Sequence, residues 1–192
     1  VKQHRIEKPV KVLFEGVDTN VYNDKPKADF NLDIEEDFAY VHFINAMLSL
    51  GLKSPLYQEV REKRGLVYYV HCYQSRMNQQ GLNTISTQTS NKNFGAVCDA
   101  IEGVIKNPKK YLTKDRFNLV KDYYSVRQKK DEILRYKNVN QWINPEGWSV
   151  YDILKDVNFK KVKEVYDKYY QFDNFYVSND KTEFKKWDIK IY

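Results

Sequence analysis

Apolar residues along the chain recur with two periods, and the places where the period changes mark the elements. Val10 to Phe14 is a short apolar run, and Ala28 to Ile34 alternates apolar with polar residues, so both read as half-buried strands around a polar turn at Asn23-Asp24-Lys25-Pro26. Phe38, Val41, Ile44, Met47 and Leu48 then fall three and four residues apart behind acidic Glu35, Glu36 and Asp37, the pattern of a helix closing near Gly51. Ser54-Pro55 caps and opens a second, short helix that runs to a glycine stop at Gly65. Leu66 to Tyr73 and Leu82 to Thr89 read as a long antiparallel hairpin turning at Asn78-Gln79-Gln80-Gly81.

Helical spacing returns at Phe94, Val97, Cys98, Ile101 and Ile105, and stops before Asn107-Pro108. Thr113 caps a longer helix through Phe117, Val120 and Tyr124 to about Tyr136, and a turn follows at Pro145-Glu146-Gly147. Asn158 caps a last helix striped by Val162, Val165, Tyr166 and Tyr169, and Asn174 to Ser178 is a final strand. No repeat, low-complexity tract or linker divides this order. It predicts one α+β domain over residues 1–192, its core spanning roughly 10–180, with helices packed on one face of a mainly antiparallel sheet.

Composition narrows the function classes. The 192 residues are 42% hydrophobic and 30% charged, with no apolar run near the roughly 18 residues of a membrane span. Nor is there an apolar stretch of signal-peptide type, which leads us to expect a cytoplasmic protein. A net charge of +6 could suit nucleic acid, but lysines and acids alternate along the chain, and most of the 16 tyrosines fall at core spacing. A solvated basic surface is the better reading, and nucleic acid is not the expected partner. The two cysteines, Cys72 and Cys98, have no metal-ligand spacing and read as buried thiols.

The densest chemistry lies between Ser54 and Val70. Arg61 falls in the last turn of the second helix, where a cation is favoured, and Gly65 lets the chain reverse into a strand carrying Tyr68. A guanidinium and a phenol brought close by that reversal offer several donors to one carbonyl or developing oxyanion. The plainer alternative is a basic helix end followed by a core tyrosine, and the residues alone leave both open.

The run Arg61-Glu62-Lys63-Arg64-Gly65-Leu66-Val67-Tyr68 closely resembles the signature of the C-terminal, non-catalytic half of pitrilysin/insulinase-type zinc metallopeptidases and the mitochondrial processing peptidase group. The surrounding order of elements, over roughly residues 10–180, resembles that half as well. The resemblance implies a LuxS/MPP-like metallopeptidase half-domain in which Arg61 and Tyr68 reach across a clamshell to bind the substrate backbone beside the scissile bond. Arg64 and Tyr69, the confusable neighbours, are assigned to the solvated helix end and the opposite strand face. One departure is the loop Leu50-Gly51-Leu52-Lys53-Ser54-Pro55, which is less rich in small residues than the family pattern.

Zinc in this family is bound by an H-x-x-E-H helix, in which two histidines share one face and the glutamate activates water. Here His42 starts such a frame, but Asn45 stands at the base position and Ala46 at the second ligand, while His4 and His71 show no ligand spacing. The helix reads as a degenerate zinc helix or as a chance histidine. No cofactor is expected in this chain. The resemblance therefore implies zinc in an H-x-x-E-H-bearing partner half, a peptide substrate enclosed between the two, and no hydrolysis by this chain alone. The alternative from another class is a non-enzymatic binding or assembly protein that retains the peptidase fold.

Overall fold

The computed structural model describes residues 9–15, 34–77, 80–133, 154, 156–171, 175–179 and 182–186. Five strands, β1 (Pro9–Glu15), β2 (Val70–Met77), β3 (Gln80–Gln88), β4 (Phe175–Asn179) and β5 (Thr182–Lys186), form one antiparallel sheet in the order β2-β3-β1-β4-β5. The helices are α1 (Ile34–Ser49), α2 (Phe94–Ile105), the single turn α3 (Pro108–Tyr111), α4 (Lys114–Ile133) and α5 (Phe159–Tyr169). This is the expected α+β architecture, built on a mainly antiparallel sheet.

Helix α1 is the hub. Phe43, Ile44, Met47 and Leu48 are fully buried, and Ala39, Tyr40 and Ala46 off the predicted stripe are buried too, because α1 lies between the sheet and the other helices. A helix enclosed on nearly all sides needs apolar or internally bonded residues all round. Toward α4, the Phe43 ring packs 5.2 Å from Phe117 and 5.8 Å from Tyr124. Toward α5, the buried Asp37 carboxylate accepts from Lys168 Nζ at 2.7 Å and the Tyr169 hydroxyl at 2.8 Å. Burial opposes that charge, but these bonds outweigh it and hold the carboxyl below its ordinary range.

The end of α1 is closed from a distance. Its last carbonyls have no partners within the helix. Arg116, in the first turn of α4, donates from Nε to Met47 O at 2.9 Å and from Nη2 to Ala46 O at 3.1 Å and to Leu50 O. Gly51 follows at φ 77°, the left-handed conformation that lets the chain leave a helix without a Cβ clash. Ser49 Oγ accepts the N–H of Cys72, satisfying a donor of β2, which ends the sheet among the described residues.

Several local signals are realised as read. Thr113 Oγ1 accepts the Arg116 N–H at 3.2 Å, and Asn158 Oδ1 accepts the Lys161 N–H at 2.8 Å, so both helices start at their capping side chains. Others need correction. Ile34 opens α1 instead of ending a strand; the rest of the expected strand, residues 28–33, lies outside the described residues, as do the turns at 23–26, 78–79 and 145–147, His4, Tyr136 and Asn174. The hairpin's first strand begins at Val70, not Leu66, because the hydroxyls of Thr89 and Thr87 take the carbonyls of Leu66 and Tyr69 in place of ladder bonds. Strand β5 was not anticipated: Thr182–Lys186 carries a single large apolar residue, too weak a pattern to mark it.

Candidate functional site

The segment from Pro55 to Tyr68 does not form the α-helix its caps suggest. After Pro55 and Leu56 the backbone widens into a π-helix over Tyr57–Glu62, with the Lys63 N–H reaching back five residues to Gln58 O at 3.0 Å. The exit is widened too. Gly65 N–H bonds Arg61 O at 2.8 Å and Leu66 N–H bonds Val60 O at 3.1 Å, each span one residue longer than in the usual glycine-terminated helix end. Gly65 sits at φ 59°, which fits the glycine stop. π-turns of this kind are rare and recur at functional sites.

The π-helix divides its side chains by flank. Leu56 and Val60 are fully buried and fix it to the core. Glu59 faces α3, where its carboxylate accepts from Lys63 Nζ at 2.7 Å and the Tyr111 hydroxyl at 2.8 Å, with Lys110 Nζ 3.5 Å away. The bond from Lys63, against an opposing cost of burial, and then that from Tyr111, pull the Glu59 carboxyl down to about 2. The outcome is a rigid base beneath the chain reversal.

On the third flank Arg61 is half-buried, and its guanidinium lies over two rings, 4.6 Å from the centroid of Tyr57 and 5.1 Å from that of Tyr68. Glu62 Oε1 lies 3.7 Å from Arg61 Nε. Tyr68 is 80% exposed, so the plainer alternative, a core tyrosine, fails: the two residues between Gly65 and Tyr68 carry the chain past the core, which Val67 enters instead. Arg64 is exposed as expected, and Tyr69, 39% exposed, directs its carbonyl to β3 through Thr87. The reversal thus brings Arg61 and Tyr68 together at the surface. Tyr57 was missed by the sequence reading, although its place four residues before Arg61 was a signal that one helix flank would hold both.

The stretch of α1 that could have been a zinc helix is differently built. Asn45 Nδ2 donates to Asn83 Oδ1 at 2.6 Å, Asn83 Nδ2 donates to the Tyr170 hydroxyl at 3.1 Å, and that hydroxyl donates to Asn45 Oδ1 at 3.0 Å. All three residues are buried, so the ring of bonds is closed and internal. His42 is half-buried, 5.6 Å from the Tyr124 ring, and burial, then the Arg127 charge, holds its imidazole below the ordinary value. With one imidazole, a bonded amide and the methyl of Ala46, these side chains do not fit a zinc ion. Among the described residues no three of His, Cys, Asp and Glu converge as metal ligands. Cys72 and Cys98 are buried and unpaired, and burial pushes both thiols up to about 12.

Antiparallel sheet, central helix and the turn that presents Arg61 and Tyr68 together define a metallopeptidase half-domain of the α+β class. The chain belongs to the peptidase M16 inactive domain family, whose sequence model matches residues 13–124. It is similar in fold to the inactive peptidase domain of a Bordetella parapertussis protein described as a zinc protease, at 12% identity and TM-score 0.67, covering 97% of this chain and 99% of that one. A peptidase M16 inactive domain from Pseudomonas fluorescens is similar at 21% identity and TM-score 0.61, covering 89% of this chain and 40% of that one. A conserved protein from Enterococcus faecalis is similar at 15% identity and TM-score 0.59, and the chain, 86% of it aligned, spans 38% of that protein. No curated protein matches in sequence. Among the described residues no helix is long and apolar enough to cross a membrane.

Proposed function

We propose that this chain is the non-catalytic, substrate-gripping half of a two-part zinc metallopeptidase, and that it completes the active site of a partner half bearing an H-x-x-E-H helix. The observation that carries this reading is the Arg61 guanidinium stacked 5.1 Å from the ring of the exposed Tyr68, at the end of a helix anchored by Glu59. Similarity to inactive domains of zinc proteases supports the need for a second half.

When bound, the zinc ion of that half would supply Lewis-acid chemistry. This chain's part follows from its own groups. As water adds to a peptide carbonyl, negative charge grows on the oxygen, and donors already aimed at that position stabilise it without reorganising. Arg61 supplies planar N–H donors and a permanent charge, and Tyr68 a phenolic O–H. Both act on the backbone of the substrate, so they grip peptides without selecting a side chain.

The test is reconstitution. The chain mixed with its cognate H-x-x-E-H half should hydrolyse peptides, and Arg61→Ala should lower the rate on the order of 10²- to 10³-fold, the usual cost of one transition-state donor. Hydrolysis unchanged by both Arg61→Ala and Tyr68→Phe overturns the assigned roles. A stable complex of the two halves without hydrolysis of any peptide in a combinatorial library favours the assembly protein.

A further inference from the structure

Arg61 carries two kinds of binding surface, and its close contacts among the described residues are with aromatic rings. A guanidinium is a flat cation: its faces attract aromatic rings, while its N–H donors project from the rim in the same plane. The guanidinium carbon lies over the ring of Tyr57, 4.6 Å from its centroid, and over that of Tyr68 at 5.1 Å, so the cation meets the π faces of both rings. Among the described residues the carboxylate beside it is that of Glu62, 3.7 Å from Nε, beyond normal hydrogen-bond length, and its side chain is half exposed.

The two rings are not equivalent. Tyr68 is 80% exposed, with little around it to fix its ring. Tyr57 is half-buried, packs against the hydrophobic core, and opens the same π-helix in which Arg61 stands four residues later. That helix is secured on its other flanks by Leu56 and Val60 in the core and by Glu59 on Tyr111. The ring of Tyr57 is therefore fixed to the protein, and the cation is fixed to the ring.

We infer that Tyr57 is the positioning residue of this site: its ring face holds the Arg61 guanidinium in place for an incoming peptide carbonyl, while Tyr68 remains free to move onto the substrate. The inference rests on the proposed role of Arg61 and adds a residue that touches neither substrate nor metal. A ring without a hydroxyl does the same work, since the attraction comes from the π face.

The experiment compares Tyr57→Phe with Tyr57→Leu and the unbranched Tyr57→Met, in the chain reconstituted with its zinc half. Tyr57→Phe should keep kcat within about twofold of the unsubstituted protein, whereas Leu and Met should lower kcat on the order of tenfold with KM little changed, since a misplaced donor is felt in the transition state. A second readout is independent of hydrolysis. The Arg61 Hε resonance should be shifted upfield by the ring in the unsubstituted chain and in Tyr57→Phe, and should return toward the exposed-arginine position in Tyr57→Met and Tyr57→Leu. If Arg61→Ala abolishes activity while folded Tyr57→Met keeps both the shift and full kcat, the positioning role is refuted and the role of Arg61 stands. If Arg61→Ala changes nothing, the proposed function falls first, and with it the catalytic meaning of the stack.

Discussion

Two stretches of this chain carry the residue types of a peptidase, and they are built in opposite ways. Around Arg61 the polar groups are held from the flanks: the guanidinium lies over two rings, and Tyr68 is exposed. Around Asn45 the polar groups are spent on one another, in a buried triangle with Asn83 and Tyr170. The difference teaches a general test for a working site. Donors that stabilise a fold are saturated and dry, while donors meant for a ligand are positioned without being saturated.

The widest break in that comparison should come from Arg61→Ala, with a loss on the order of 10²- to 10³-fold in kcat/KM for the reconstituted enzyme. The urea midpoint of the chain should hardly move, because a half-exposed side chain outside the core contributes within about 0.5 kcal/mol. Asn83→Leu should do the reverse. It leaves Asn45 Nδ2 without its acceptor and takes one bond from the Tyr170 hydroxyl, while the bond from that hydroxyl to Asn45 Oδ1 stays, a cost of about 1–3 kcal/mol readable by urea denaturation. The folded fraction should still support hydrolysis with its zinc half. If Asn83→Leu instead removed activity from fully folded protein, the triangle would belong to the chemistry and the contrast would dissolve.

Smaller changes sharpen the picture. Arg116→Met should cost about 2 kcal/mol, since it takes the guanidinium donors from the carbonyls of Met47 and Leu50 and leaves Ala46 O with the Leu50 N–H alone at the end of a buried helix. Glu59→Gln should cost about 1 kcal/mol at neutral pH. The Glu59 carboxyl lies lower in the folded chain than its ordinary value of 4.5, so its contribution is present above that value and is lost as pH falls toward about 2. The gap between the unsubstituted chain and Glu59→Gln in urea midpoint should therefore narrow between about pH 4.5 and 2. A gap that stays constant over that window would show that the Lys63 and Tyr111 bonds do not select the charged form.

Much of this arrangement was legible in advance. Gly65 marked the reversal, Thr113 and Asn158 marked helix starts, and alternation marked the hairpin, because caps, turns and pleats are set by neighbours within a few residues. The Arg61 and Tyr68 pair was only half readable: the glycine reversal allows the two to meet, but a core tyrosine fitted the residues equally, and the resemblance carried the choice. The strand start at Val70 was misread because the carbonyls before it are taken by threonines 18 and 23 residues away, beyond any local pattern.

What the sequence by itself determined, then, was the order of most elements and the reversal at Gly65 that makes a meeting of guanidinium and phenol possible. Tertiary structure decided which polar residues work and which merely hold. Asn45 became structural because partners 38 and 125 positions along the chain close on it. The end of α1 depends on an arginine 66 to 70 positions beyond it. Tyr68 became available because the reversal after Gly65 left it outside the core that Val67 enters. The physical reason is range: backbone caps and periodicity act within about one turn, whereas burial and the saturation of polar groups are set by whatever the fold packs against them.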